Sequence, residues 1–527
     1  MVIRQFFVPA PRSRQVRRAS CIFSALALFL AGCSDRTADA YAEAQTARAL
    51  LQQGDLPGAR EAIGRAIALR EDQVDILLLD AQIKAAMGDV PAAFNSYRMI
   101  LALDPRHPDA LLGVAQFGIA VGEQQEAIKA ADLILTIMPE QTDALLIKGI
   151  AALEDKDYAE AIALGERISA ADPGNRRGIV LKARGYSLTG RRDEALALLR
   201  KSAEEFGNDE LIATAMLENA RDNADVAIML EQLALLRQAR TDSVDLAIDE
   251  INIRYKSGDV DGARAASGAM IGQFGTNARA MQRLARIWDE YDPDPLLPAD
   301  LAALAQGGAV NARQVAARHY LRNGEPTIAG ELVANSRDVR AQALLVRVAA
   351  RLNQDGAIGA AASILGQDKT SCDALLAAAE WNLAAGNPGE TVKSAQVAAA
   401  ECRDMPDGYL VAARAYDALR RPAGAERVYR EGIAAHPDER ALTQAYARWL
   451  LRRGRDSAAE SVARRLTDRV PARISSWRLL EQTCTATGND ACVAAARRGA
   501  AAAAKNYAID LPPGERGRNP LLGQEWR

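Results

Sequence analysis

The chain has 527 residues with 65 basic and 68 acidic side chains, so its formal net charge of −3 lacks the basic surplus of a generic nucleic-acid binder. Hydrophobic residues make up 49% and charged residues 25%, close to the globular norm, which excludes a disordered chain. Aromatics are only 5% while Ala is about a fifth of the chain, a balance that favours helices with thin cores over sheets.

The first predicted element is a targeting segment over 1–32. Arg12, Arg14, Arg17 and Arg18 precede an apolar run from Cys21 to Leu30. That run is too short to span a bilayer, which takes about 20 apolar residues, and suits the core of a signal peptide. It closes on Leu30-Ala31-Gly32-Cys33, which resembles the lipobox of bacterial lipoproteins. The resemblance implies cleavage before Cys33, a thioether from its sulfur to diacylglycerol, and acylation of the new amino terminus. Cleavage removes Arg4 with the other four Arg and no acid, lowering the net charge from −3 to −8. Attachment is therefore expected through acyl chains, not through attraction to anionic lipid. Ser34 after the Cys implies delivery to the outer membrane under that family's sorting rule, facing the periplasm, although Asp35 one place later leaves inner-membrane retention open. Residues 33–39 read as a linker.

From residue 40 the chain repeats. Gly54, Gly88, Gly122, Gly190 and Gly258 fall on multiples of a 34-residue step, with Lys156 and a degenerate copy near Ala224 in the skipped slots. A small residue follows each slot by five (Ala59, Ala93, Ala127, Ala161, Ala195, Ala263), and another precedes most by seven (Ala47, Ala81, Ala115, Gly149, Ala183). Pro105, Pro139 and Pro173 recur seventeen after. Each unit reads as two helices: the Gly ends the first in the left-handed region, the small residues let the pair approach, and Pro stops the second. One such hairpin cannot bury its apolar face alone, so neighbours must stack.

The segments Gly88-Asp-Val-Pro-Ala-Ala93 and Tyr97-Arg-Met-Ile-Leu-Ala-Leu-Asp-Pro105 resemble the tetratricopeptide repeat. Gly324, Gly386, Arg420, Gly454 and Gly488 continue the pattern. The resemblance implies an all-α solenoid, a right-handed superhelix of antiparallel helix hairpins, over roughly residues 40–500, with 206–250 and 330–370 the poorest matches. The Pro-rich stretch Asp292–Pro298 interrupts the register, which predicts a first array over 40–290, a break at 291–308 and a second array over 309–506. Residues 507–527 read as an extended tail that includes Trp526.

Besides Cys21 and Cys33, four cysteines remain, and counting leaves three pairings open. Within the repeat register, Cys372 starts and Cys402 ends one hairpin, while Cys484 and Cys492 face each other across the last turn. The expected bridges are Cys372–Cys402 and Cys484–Cys492, in keeping with an oxidising compartment.

No catalytic constellation emerges. The three His residues (His107, His319, His436) read as boundary or seam residues, and HExxH, GxSxG, Walker and paired CxxC patterns are lacking. A non-enzyme without cofactor or metal is expected. In the resembling family the first helix of each repeat lines a concave wall that binds protein segments. The residue six before each turn points into it, which makes Arg48, Arg184, Arg318, Arg414 and Arg448 a candidate stripe for carboxylates. The expected function is a membrane-anchored scaffold lipoprotein with protein partners in the cell envelope, in exopolysaccharide export or envelope-complex assembly. The alternative is an accessory protein whose Arg stripe contacts an acidic glycan or peptidoglycan.

Overall fold

The computed structural model describes residues 36–207, 209–403 and 405–507. The signal segment, Cys33 and the tail from residue 508 with Trp526 lie outside the described residues. Among these residues there are 28 helices, arranged as antiparallel hairpins, and no strand. The fold is a tetratricopeptide-type α-solenoid. The first helix is already formed at residue 36, inside the segment expected as a linker.

Turn chemistry explains the hairpins. Gly54 (φ 79°) ends the first helix, with its N–H on the Leu51 carbonyl at 3.1 Å and the Asp55 N–H on the Leu50 carbonyl at 3.0 Å. Such bonds satisfy carbonyls a helix end leaves open, and glycine carries no Cβ penalty there. Asp55 then caps the next helix, Leu56–Leu69, its carboxylate accepting from the Gly58 N–H at 3.0 Å. Asp89, Asp157, Asp225 and Asp259 do the same after the later turns. The slots without glycine keep the same backbone: Lys156 has φ 63°, Ala224 φ 55° and Arg420 φ 55°.

The small residues sit at the helix crossings. Ala47, Ala59, Ala81, Ala93, Ala115 and Ala127 are all 0% exposed. Where glycine is used, helices come closer still: a Cβ on Gly165 would stand 2.9 Å from the Gly178 carbonyl oxygen. The core is thus a thin ribbon of Ala, Leu and Ile, thickened locally by Trp288 and Trp449.

The stretch 291–308, expected as a break, is packed against its neighbours. Asp292 stands 34 residues after Gly258, but its backbone is extended (φ −144°), and the turn opens into a loop before helix Pro298–Gly307. Leu296 and Leu304 bury into one core with Trp288 and Tyr320, so packing runs through without a gap. The acidic loop is pinned: Asp292 accepts from Arg264 at 2.8 and 3.2 Å, and Asp294 from the Tyr320 hydroxyl at 2.8 Å. Proline and aspartate that read as a linker form a loop held by side chains from the neighbouring helices. The chain instead divides into compact units between Ala215 and Met216.

Candidate functional site

In the second unit the first helices of successive hairpins converge, and their facing side chains pair across more than one repeat. Arg347, 1% exposed, sits on helix Val339–Arg351. It reaches Glu380 at 2.7 Å, Asp407 at 2.8 Å and Asp373 at 3.4 Å. Asp373 also takes Arg318 at 2.8 Å, and Glu380 takes Arg351 at 2.6 Å. Asp373 and Asp407 stand in the first turns of their helices, where the helix dipole also favours negative charge. Burial opposes ionisation of Asp407, but the Arg347 and Arg322 guanidiniums outweigh it and hold the carboxyl down at about 2. Burial likewise works against charge on Glu380, and Arg347 and Arg351 overcome it. Asp249 and Arg221 pair in the same manner; there burial wins and pushes the Asp249 carboxyl up to about 6.

Beside this network the unit closes on itself. The Arg440 guanidinium donates to the Asp289 carbonyl at 3.0 Å, and the Ser475 N–H to Glu290 Oε1 at 3.0 Å. Lys256 Nζ donates to the Ala472 carbonyl at 3.0 Å and lies 5.8 Å from the centre of the Tyr507 ring. Helices Val244–Ser257 and Ala278–Tyr291 are thereby clasped to the last two hairpins. His319, fully buried, secures the same seam, with Nδ1 2.8 Å from Asp289 and Nε2 3.1 Å from the Asp292 carbonyl.

The five stripe arginines stand in different surroundings. Arg318 is neutralised by Asp373. Arg184 is half-buried, and Ile150, in the equivalent slot, is 0% exposed. Arg48 is exposed in the first unit. Arg414 and Arg448 are exposed on the first helices of adjacent hairpins in the second unit. The self-pairing that removes Arg318 was not legible, because Asp373 and Asp407 lie 55 residues from Arg318 and 60 from Arg347.

Cys372 is joined to Cys402 and Cys484 to Cys492, each with a Cα separation of 5.7 Å. Glu460 approaches the second pair closely enough for a shared ion, but bonded sulfurs offer no thiolate. Glu460 instead accepts from Asn489 Nδ2 at 2.9 Å. His107 caps helix Pro108–Val121 through Nδ1, and His436 packs edge-on against Tyr409.

These features define a helical-hairpin scaffold, a class that is generally non-catalytic and used for protein–protein interaction. Models described as tetratricopeptide repeat match residues 44–108, 109–176 and 152–218. A comparison with curated protein sequences returns no match. Among solved structures, a tetratricopeptide repeat protein from Parabacteroides merdae ATCC 43184 is similar at 17% identity, covering 47% of this chain and 98% of that one, with a TM-score of 0.39. PilW, described as a type IV pilus biogenesis factor, is similar at 20% identity over 39% of this chain and 94% of its own, TM-score 0.35. MamA is similar at 22% identity over 32% and 91%, TM-score 0.30. Among the described residues no helix is long and apolar enough to cross a membrane.

Proposed function

We propose that this chain is a scaffold lipoprotein of the bacterial cell envelope, tethered by acylated Cys33 to the outer membrane and facing the periplasm. It docks acidic segments of protein partners through Arg414 and Arg448. The exposure of these two arginines, one repeat apart on neighbouring first helices, carries the reading, since the wall beside them spends its arginines on its own carboxylates. A planar guanidinium keeps its charge and pairs carboxylates through two parallel hydrogen bonds, so two in register select an acidic strand. Assembly or polysaccharide-export complexes of the envelope are the setting such a tethered scaffold suits.

The test is capture of envelope proteins by the full chain, compared with the R414E/R448E double variant. Loss of the captured proteins is expected, with helical content and melting temperature unchanged, because exposed helix-surface charges shift stability by no more than about 0.5 kcal/mol. Retention of the same partners would move docking elsewhere. Salt-abolished binding of a uronate polymer without any protein capture would instead favour the glycan-contacting alternative.

A further inference from the structure

In the first unit, the loops between hairpins (70–73, 104–107, 138–141) form one edge, and the turns at Gly54, Gly88 and Gly122 form the other. The chain enters at the loop edge. Thr37 accepts from the Arg70 guanidinium, and the Tyr41 hydroxyl donates to Gln73 at 3.3 Å. Residue 36, already helical, stands three residues from Cys33, a reach of at most about 10 Å.

That same edge carries exposed apolar side chains. Met99 (49%) and Leu103 (51%) occupy the last turns of helix Val90–Leu103; Leu133 (42%) and Ile137 (44%) repeat them 34 residues on in helix Gln124–Ile137, and Met138 (40%) follows. Two successive second helices thus present the same apolar pair at the same height. The rim carries both signs without a basic surplus: Arg70 pairs with Asp72 and Arg167 with Glu140, and the same loops hold Glu71, Asp104 and Arg106. An apolar patch in such a rim suits a hydrocarbon boundary, with no demand for anionic headgroups.

We infer that this stripe is a membrane-contact surface: the loop edge of the first unit lies against the phospholipid bilayer, with Met99, Leu103, Leu133, Ile137 and Met138 dipping below the headgroups. This rests on the acylation of Cys33 proposed above, which brings the edge to the bilayer without a spacer. The anchor holds the chain at the bilayer and the stripe fixes its orientation, so the hairpins of the first unit stand away from the membrane.

The experiment uses the full processed chain, isolated from membranes and reconstituted in phosphatidylethanolamine vesicles doped with a diazirine-bearing phospholipid. Photolysis, digestion and mass spectrometry then locate the adducts. Stripe peptides are expected to be labelled severalfold more than the peptide carrying Leu188, which is 50% exposed on the opposite edge. Adding phosphatidylglycerol should not change that ratio, and L103E/I137E should bring the stripe down to the Leu188 level with melting temperature unchanged. Equal labelling of both edges would overturn the membrane contact. The same digest reads the mass of the Cys33 peptide. An unmodified Cys33 defeats the anchor itself, whereas an acylated Cys33 above an unlabelled stripe defeats only the contact.

Discussion

Lys156, Ala224, Asn353 and Arg420 hold φ between 53 and 63°, a region where an L side chain crowds its own carbonyl. A non-glycine residue held there costs roughly 1–2 kcal/mol, paid back by the packing of the hairpin around it. Ala224 has no side-chain polar group to offset the strain, so Ala224→Gly is expected to stabilise the protein by up to about 1 kcal/mol, read as a higher urea midpoint at unchanged m-value. Lys156→Gly should act in the same direction, less any contribution of the lysine side chain. The constant 34-residue step makes the slots at 156 and 420 readable with no glycine present. Asn353 escapes that reading because it stands 29 residues after Gly324 and 33 before Gly386.

At the scale of the element, the hairpin decides which cysteines meet. Antiparallel helices bring the start of Cys372–Ala384 beside the residue that ends Pro388–Glu401, so Cys372 and Cys402 become neighbours across 30 residues of chain. Cys484 and Cys492 are joined across the turn at Gly488, with Asn489 capping the second helix. We expect non-reducing peptide mapping of protein from the envelope to return these two linkages. A crossed linkage, or four free thiols, would contradict the oxidising compartment. Each bridge should add about 2–4 kcal/mol, felt as a lower melting temperature of the second unit on reduction. Hairpin topology was legible from residue spacing because local turn and crossing chemistry writes it at fixed offsets. The loop at Asp292–Leu297 was not: its composition is a linker's, and only the distant partners Arg264, Tyr255 and Tyr320 make it structural.

At the scale of the second unit, stability depends on carboxylates that must stay ionised where water is scarce. Asp407, held at about 2 against its ordinary 3.8, has a depressed folded-state pKa. Its contribution is therefore complete above pH 4 and is lost as pH falls toward 2, a loss of roughly 2 kcal/mol. Melting temperature should fall across that window, and Asp407→Asn should lower it at neutral pH while flattening the acid limb. Glu439 works in the opposite sense above pH 4.5, since burial and the facing Asp289 push its carboxyl up; Asp407 adds to that push, so the substitution also eases Glu439, and only the part of the difference below pH 4 reads Asp407 itself. An acid limb of the same depth in the variant would assign the sensitivity to other groups.

The clasp from Lys256, Glu290 and Asp289 to the last two hairpins also changes how this part of the chain comes apart. An open stack of repeats loses its terminal members first, because each end has one neighbour and nothing beyond. Here the hairpin turning at Gly488, which would otherwise be terminal, gains a second neighbour in the helices Val244–Ser257 and Ala278–Tyr291. With that end held, the repeats between the clasped helices cannot leave one at a time, and a stretch that is modular in sequence becomes all-or-none in its unfolding.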